Sequence, residues 1–447
     1  MSANHLSPTI PHAAIRPLVW LTAALWGGVF FVSDHSLTIS TRDAFVADLT
    51  AMESWTAGGN SLRRAAFLGM AAVGACLLLR ENGRRLRWDD PLFLLLAAYV
   101  LWCAASVQWS IDPGTTVRRL MVLGCCVIAA LGLSRHLAPR DTVTVAIGVL
   151  LGYLVLGVAA EAALGTFRPW SGEYRFAGTV HPNTQGAYLA LLALAAIAKL
   201  TTTPHHRGFY GCVLVLAMAF IVLTRSRTAC AALLAGIAVM GSLSISPRAF
   251  LATLIGGAWL VSVIATMAAA FGWEIVDQLS GAAMMGRGEQ AESLTGRLPL
   301  WSDLSWHIRD AFWMGHGFMT FWTPDHILEI SSLQEWAISE AHSSYIESLL
   351  DLGFIGLVLW VSAALLGLRR AARLFPETKD PGFLFCVGAI VFGLLRGFTE
   401  SGMNAPSLTA MMLGVILLHT AYVTRTEPRV AAALRRPAVA SNQHSVT

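Results

Sequence analysis

Charge is what this chain has least of. Only 13% of its 447 residues are Asp, Glu, Lys or Arg, against 55% hydrophobic residues, and the mean hydropathy is +0.60. Soluble domains carry about 25% charged residues, so this balance excludes a water-soluble globule and leaves a polytopic membrane protein. Cysteine is missing where it would carry chemistry. Cys76, Cys103, Cys125, Cys126, Cys212, Cys230 and Cys386 all fall in apolar runs and none in an outer loop. That excludes a disulfide framework or a thiolate metal site and leaves packing residues. Heptads, long repeats and low-complexity tracts are also absent, which removes coiled coils and solenoids. The formal charge of +4 gives no sign of a nucleic-acid partner, because Arg in the inner connections accounts for most of it.

What is present is a series of membrane-length apolar runs. A spanning helix needs roughly 20 mainly apolar residues. About twelve runs approach that length: 17–34, 65–79, 91–107, 120–134, 142–164, 184–200, 208–224, 226–245, 249–272, 346–368, 382–400 and 404–423. The first follows a weakly charged leader without a small-residue cleavage pattern, so it reads as a retained helix. The expected fold is all-α, a polytopic bundle of about twelve transmembrane helices with one large periplasmic loop. Three parts are expected: 1–272 with about nine helices, 273–345 as the loop with an amphipathic helix, and 346–447 with the last helices and a cytoplasmic tail. Arg80, Arg84, Arg85, Arg87, Arg135, Arg140, Lys199, Arg207, Arg248, Arg369, Arg370, Arg373 and Lys379 lie in alternate connections, and Arg425 to Arg436 in the tail. The positive-inside rule then puts both termini in the cytoplasm and the long loop outside.

That loop holds LTGRLPLW (294–301), MGHGFMTFW (314–322) and AHSSYIESLLDLGFIG (341–356). Leu300, Trp301, Leu304, Ile308, Ala311 and Phe312 recur at helical spacing, with Pro299 in the first turn and Gly315 and Gly317 at the end, predicting an amphipathic helix. The Trp residues from Trp273 to Trp336 suit an interfacial lid or stacking on sugar rings. Glu347 and Asp351 lie four apart on one helix face, and acids so deep face a cavity or pair with Arg. Arg396 and Glu400 share that spacing and read as a mutual ion pair. Glu161, close to a helix end, reads as solvated, and Asn183 or Thr184 as a helix cap. Arg118 and Arg119 are either a snorkelling pair or an anion site.

The outer side gathers Arg175, Arg225, Arg227 and Arg297 with His181, His316 and His342. Guanidinium groups suit phosphate because their planar fork offers paired donors and stays charged. At 4 Å and an effective dielectric near 20, one such contact is of order 4 kcal/mol before desolvation. Two or three would hold a diphosphate.

Here the chain resembles the O-antigen ligase and Wzy-type polymerase superfamily of bacterial envelope polysaccharide assembly. His342-Ser343, then nine residues, Gly353, two residues and Gly356 follow that family's pattern of His, then Asn, Ser or Gln, nine residues, Gly, two residues, Gly. RFAGTVHPN (175–183), LTRSRTA (223–229) and TGR (295–297) followed by Gly315-His316-Gly317 resemble its other segments. Ser343 stands where Asn is more usual.

The resemblance implies an inverting, metal-independent glycosyltransferase without a cofactor, in the bacterial inner membrane with its active site facing the periplasm. The donor would be an undecaprenyl-diphosphate-linked oligosaccharide. The acceptor would be a hydroxyl of a glycan or a lipid-linked acceptor, and other polysaccharide-assembly proteins would be partners besides the bilayer. Carried over by position, Arg175, Arg225 and Arg297 hold the leaving diphosphate, with Arg227 a further ligand, and His342 is the general base. His181 and His316 stay loop-structure residues. The segment GHGFMTFWTP with Trp336 looks closer to exopolysaccharide polymerases than to ligases that attach glycan to lipid A-core. A lipid-linked oligosaccharide flippase is the rival from another class, and would carry charge along a cavity reaching both leaflets.

Overall fold

A computed structural model describes residues 12–35, 61–81, 83–84, 87–245, 293–334, 338–402 and 406–422. In chain order the helices are α1 (His12–Asp34), α2 (Ser61–Leu79), α3 (Pro91–Ala105), α4 (Pro113–His136), α5 (Pro139–Ala163), α6 (Pro182–Thr202), α7 (Arg207–Thr224), α8 (Arg227–Ser244), α9 (Ser293–Asp310), α10 (Pro324–Gln334), α11 (Ser344–Thr378), α12 (Pro381–Arg396) and α13 (Leu408–Tyr422). Among the described residues, nine helices are long and apolar enough to cross a membrane, and Pro381–Arg396 and Leu408–Ala421 are shorter apolar helices. Eleven of the expected runs coincide with α1–α8 and α11–α13. The expected span 249–272 lies outside the described residues, as does part of the expected loop 273–345.

Several helices start in the same way. Asp90, Asp112, His181 and Asp380 each accept a hydrogen bond from a first-turn N–H, and each precedes a Pro at the first helical position. The side chain satisfies an orphan donor while the ring fixes φ for the helix. The core centres on α6 and α12, whose residues Gln185–Ala196 and Pro381–Ile390 are buried throughout. Small side chains allow this. A Cβ on Gly388 would stand 2.4 Å from the Met240 sulfur, and one on Gly236 would stand 3.2 Å from the Gly388 carbonyl oxygen. Close backbone approach of this kind replaces hydrophobic drive between helices in lipid. At one end of the bundle α6 opens from His181 and α12 closes into residues 397–402. Two deeply buried helices therefore carry the loops at this end.

Helix α11 is broken at Gly353, where φ is 67° and ψ is −170°. The break exposes carbonyls that the 312–317 segment takes up. His316 N–H donates to Leu350 O (2.8 Å), Gly317 N–H to Asp351 O (2.9 Å), and the Trp102 indole to Leu352 O (2.9 Å). In return Phe354 N–H donates to Phe312 O (2.8 Å). The backbones touch, so a Cβ on Gly353 would lie 2.3 Å from the Trp313 carbonyl carbon and one on Gly315 would lie 2.4 Å from that of Asp351. Two sequence motifs, the Gly-x-Gly and the Gly-x-x-Gly, thus meet at one joint.

Helix α9 begins at Ser293, earlier than the Pro299 first turn that the sequence suggests, which places Arg297 on the helix. Its apolar face, Leu300 and Leu304, packs with Phe321, Ile330, Ile338, Ala341 and Leu350. The joint gives a stability test. Gly315→Val, at a residue with φ of 67°, should lower the thermal midpoint in detergent by several degrees, since overpacking against backbone has no soft escape. Gly124→Ala, with nothing within 4 Å, should leave it unchanged or slightly raised.

Candidate active site

The site is built on a loop held from beneath. Glu161, at the end of α5, is 5% exposed and its carboxylate accepts from Ala177 N–H (2.9 Å), Gly178 N–H (2.7 Å) and the Tyr174 hydroxyl. The expectation that Glu161 is solvated is therefore corrected: it clamps residues 174–178. Phe176 N–H donates to Leu223 O (2.8 Å), binding the same loop to the end of α7. Hydrogen bonds to a charged acceptor are worth roughly 1.5–3 kcal/mol each, so Arg175 is carried on a stiff support.

Arg175 donates through Nε to Thr224 O (3.0 Å) and through Nη2 to Asn183 Oδ1 (2.9 Å). Asn183 Nδ2 donates to Glu400 Oε1 (2.9 Å), and Arg297 Nη2 stands 3.4 Å from the same oxygen. The other carboxylate oxygen of Glu400 faces Arg396 Nη2 at 3.9 Å. Segments far apart in sequence thus converge on one carboxylate, with Glu400 8%, Arg396 9% and Arg297 18% exposed. The Arg396–Glu400 pair foreseen from spacing is one edge of this larger network. Asn183 does not cap α6. His181 does, its Nδ1 accepting from Asn183 N–H (3.2 Å), which frees the Asn183 amide to bridge Arg175 and Glu400.

His342 adopts φ of 50°, a left-handed conformation uncommon for a residue with a Cβ. Its neighbours impose that turn. The Trp301 indole donates to Ala341 O (2.9 Å), while Ala341 N–H donates to the Glu347 carboxylate, which also takes the Trp322 indole (2.9 and 3.2 Å) and the Ser401 hydroxyl (3.3 Å). On the other side Ser344 N–H donates to Gly397 O (2.8 Å) and its hydroxyl to Glu400 O (2.8 Å). Ser343, where Asn is more usual, donates its hydroxyl to Gly397 O (3.3 Å) and so fastens the backbone. Glu347 accordingly ties down the loop instead of facing a cavity or an Arg, and Asp351 accepts from Phe321 N–H at 3.5 Å. Trp301 and Trp322 are clamps, while Trp306 and Trp313 are 69% and 61% exposed.

The His342 side chain is 25% exposed, and its Nδ1 lies 3.0 Å from Glu340 Oε1. Burial works to raise the Glu340 carboxyl, weakly for a side chain 47% exposed, and the hydrogen bond and charge of His342, with His181 and Arg396 nearby, hold it below its usual range. Burial, and behind it the Arg175 charge, push His181 down to about 4. His181 therefore stays neutral near pH 7, as its capping role requires.

Arg225 has φ of 52° and ends α7 next to Thr224, the residue whose carbonyl receives Arg175. Arg227 opens α8 two residues on. Arg175 and Arg297 are joined through Asn183 and Glu400, and His342 is joined to the same centre through the Ser343–Gly397 and Ser344–Glu400 contacts. Arg225 and Arg227 lie at the 224–227 corner, beside the Thr224 carbonyl that receives Arg175. His316 sits in the helix-break joint, its Nδ1 bonded to Leu350 O (2.9 Å). Asn183, Glu340, Glu400 and Arg396 are site residues that the motifs alone did not single out as ligands. Among the described residues no cluster of three or more His, Cys, Asp or Glu is arranged to hold a metal ion. With two guanidinium groups on Glu400 and a third joined through Asn183, the centre is suited to an anion carrying two or more charges.

Residues 212–361 match the family described as O-Antigen ligase. Over more of the chain, the "Exopolysaccharide production protein ExoQ" of Rhizobium meliloti (strain 1021) is 26% identical across 369 residues, 79% of this chain and 81% of that protein. The chain is thus similar to the O-antigen ligase family over residues 212–361, and its apolar helices are those of a multi-pass membrane protein.

Two outcomes follow. Glu400→Ala leaves buried guanidinium groups facing one another, and breaking a buried pair costs about 3–5 kcal/mol; a clear fall in the detergent thermal midpoint is expected, smaller for Glu400→Gln, which keeps the Asn183 contact. His181 protonates near 4 when folded and near 6.5 when unfolded, so in between the unfolded chain holds the extra proton and stability falls as pH drops from 6.5 towards 4. His181→Asn, which can still cap α6, should flatten that slope in thermal scans across pH.

Proposed function

We propose, on the premise that this chain is of the O-antigen ligase and Wzy-type family, that it is an inverting glycosyltransferase working at the periplasmic face of the bacterial inner membrane. Its donor is an undecaprenyl-diphosphate-linked oligosaccharide, and its acceptor is a hydroxyl on a growing glycan. The observation that carries the reading is the meeting of Arg297 and Arg396 on Glu400, with Arg175 joined to it through Asn183, close to the turn that bears His342. At rest Glu400 and Asn183 hold the guanidinium groups in place. A diphosphate brings more negative charge than one carboxylate and competes with Glu400 for these groups, with Arg225 and Arg227 at the rim.

In the reaction the acceptor hydroxyl gives its proton to the His342 imidazole. Its oxygen attacks the anomeric carbon, and the bond from that carbon to the diphosphate breaks on the opposite face, inverting the centre. The arginines stabilise the charge that grows on the leaving group. General base catalysis contributes typically 10²–10⁴-fold. The leaving group's charge is thus met by side chains, and turnover is expected to persist in EDTA. The likeness to a protein of exopolysaccharide production favours polymerisation of repeat units. The family description favours attachment of finished glycan to lipid A-core as a second reading. Gene deletion separates them: polymer chains are lost in the first case and left unattached in the second.

Purified protein in liposomes with a lipid-diphosphate glycan should release undecaprenyl diphosphate. Arg297→Ala and His342→Ala should each cut that release by a hundredfold or more while remaining folded. Full turnover in both variants would overturn the assignment.

A further inference from the structure

Three glutamates adjoin the turn at His342, and the carboxylates of two are engaged elsewhere. Glu400 is taken by Arg297, Arg396 and Asn183, and Glu347 by Trp322, Ala341 and Ser401. Glu340 is different. Its Oε1 lies 3.0 Å from His342 Nδ1. The left-handed turn at His342 folds the ring back over the residue two positions earlier. Glu340 is itself set by Ile338, whose N–H donates to Ser331 Oγ at 3.0 Å on α10.

From this geometry we infer that Glu340 is a positioning residue for His342, fixing the ring orientation and the tautomer with the proton on Nδ1. An ionised carboxylate can only accept, so Nδ1 must carry the hydrogen and Nε2 is the basic nitrogen of the neutral ring. When Nε2 takes a proton from the acceptor hydroxyl, the Nδ1 proton stays in its bond to Glu340, and the carboxylate charge stabilises the imidazolium that forms. No proton passes to Glu340. His181 and Arg396 face the same carboxylate, with Arg175 next to His181. They keep Glu340 ionised, and they remain unchanged in the variants below. The catalytic half of this inference rests on the proposed function, and the pairing itself does not.

Glu340→Gln keeps the shape and removes the charge, Glu340→Asp keeps the charge with a shorter reach, and Glu340→Ala removes both. In full-length protein with 15N-labelled histidine, the neutral His342 ring, read by NMR without substrate, should carry its proton on Nδ1, and Glu340→Ala should shift it towards the Nε2-protonated tautomer. Turnover should fall about tenfold in Glu340→Gln, with thermal stability little changed, and Glu340→Asp should recover more turnover than Glu340→Ala. A His342 tautomer unchanged in Glu340→Ala overturns the inference, as does a changed tautomer with unchanged turnover in a background where His342→Ala is inactive. If His342→Ala retains full turnover, the proposed function fails while the pairing read from the tautomer stands.

Discussion

The outer end of this bundle depends on how one buried carboxylate is shared. Glu400 stands at the foot of α12 and receives Asn183 and Arg297 on one oxygen and Arg396 on the other. Repulsion among guanidinium groups would otherwise drive these segments apart. At an effective dielectric near 20, like charges about 6 Å apart repel by roughly 3 kcal/mol. A single anion among them turns that repulsion into cohesion. Because Ser344 bonds to the Glu400 carbonyl, the same residue also sets where α11 begins and hence where His342 sits. The arginines and the imidazole are therefore indexed to one position.

The second constraint is the interrupted helix. A membrane helix broken in mid-course must have its freed carbonyls satisfied by protein, and at Gly353 that duty falls to main-chain N–H groups of the 312–317 segment and to Trp102. The nine-residue interval between Ser343 and Gly353 then has a physical meaning. It is the distance between the point where α11 is pinned to residues 397–400 and the point where it is pinned to the loop's other strand of contacts. Gly353 and Gly315 are required because two backbones touch there.

Much of this was legible in the sequence. Apolar runs located α1–α8 and α11–α13, and the Arg and His motifs marked the segments that meet around Glu400. The residues misread or passed over share a cause. Glu161, Asn183, Glu340 and Glu347 act through partners distant in space or through backbone N–H groups, and neither leaves a period or spacing in the chain. Asn183 is the instructive case. A polar residue next to Pro182 reads as a cap, but the cap is His181, and the amide is released for the charge network. Two glutamates flank His342 closely enough to be noticed, yet sequence cannot tell which one the left-handed turn selects.

The joint at Gly353 has a bearing on how such proteins diversify. Its contacts run almost entirely between peptide groups, which every amino acid possesses. Outward-facing side chains such as Trp306 and Trp313 take no part in those bonds. Side chains on that surface can therefore change by ordinary replacement, while the imidazole keeps its place.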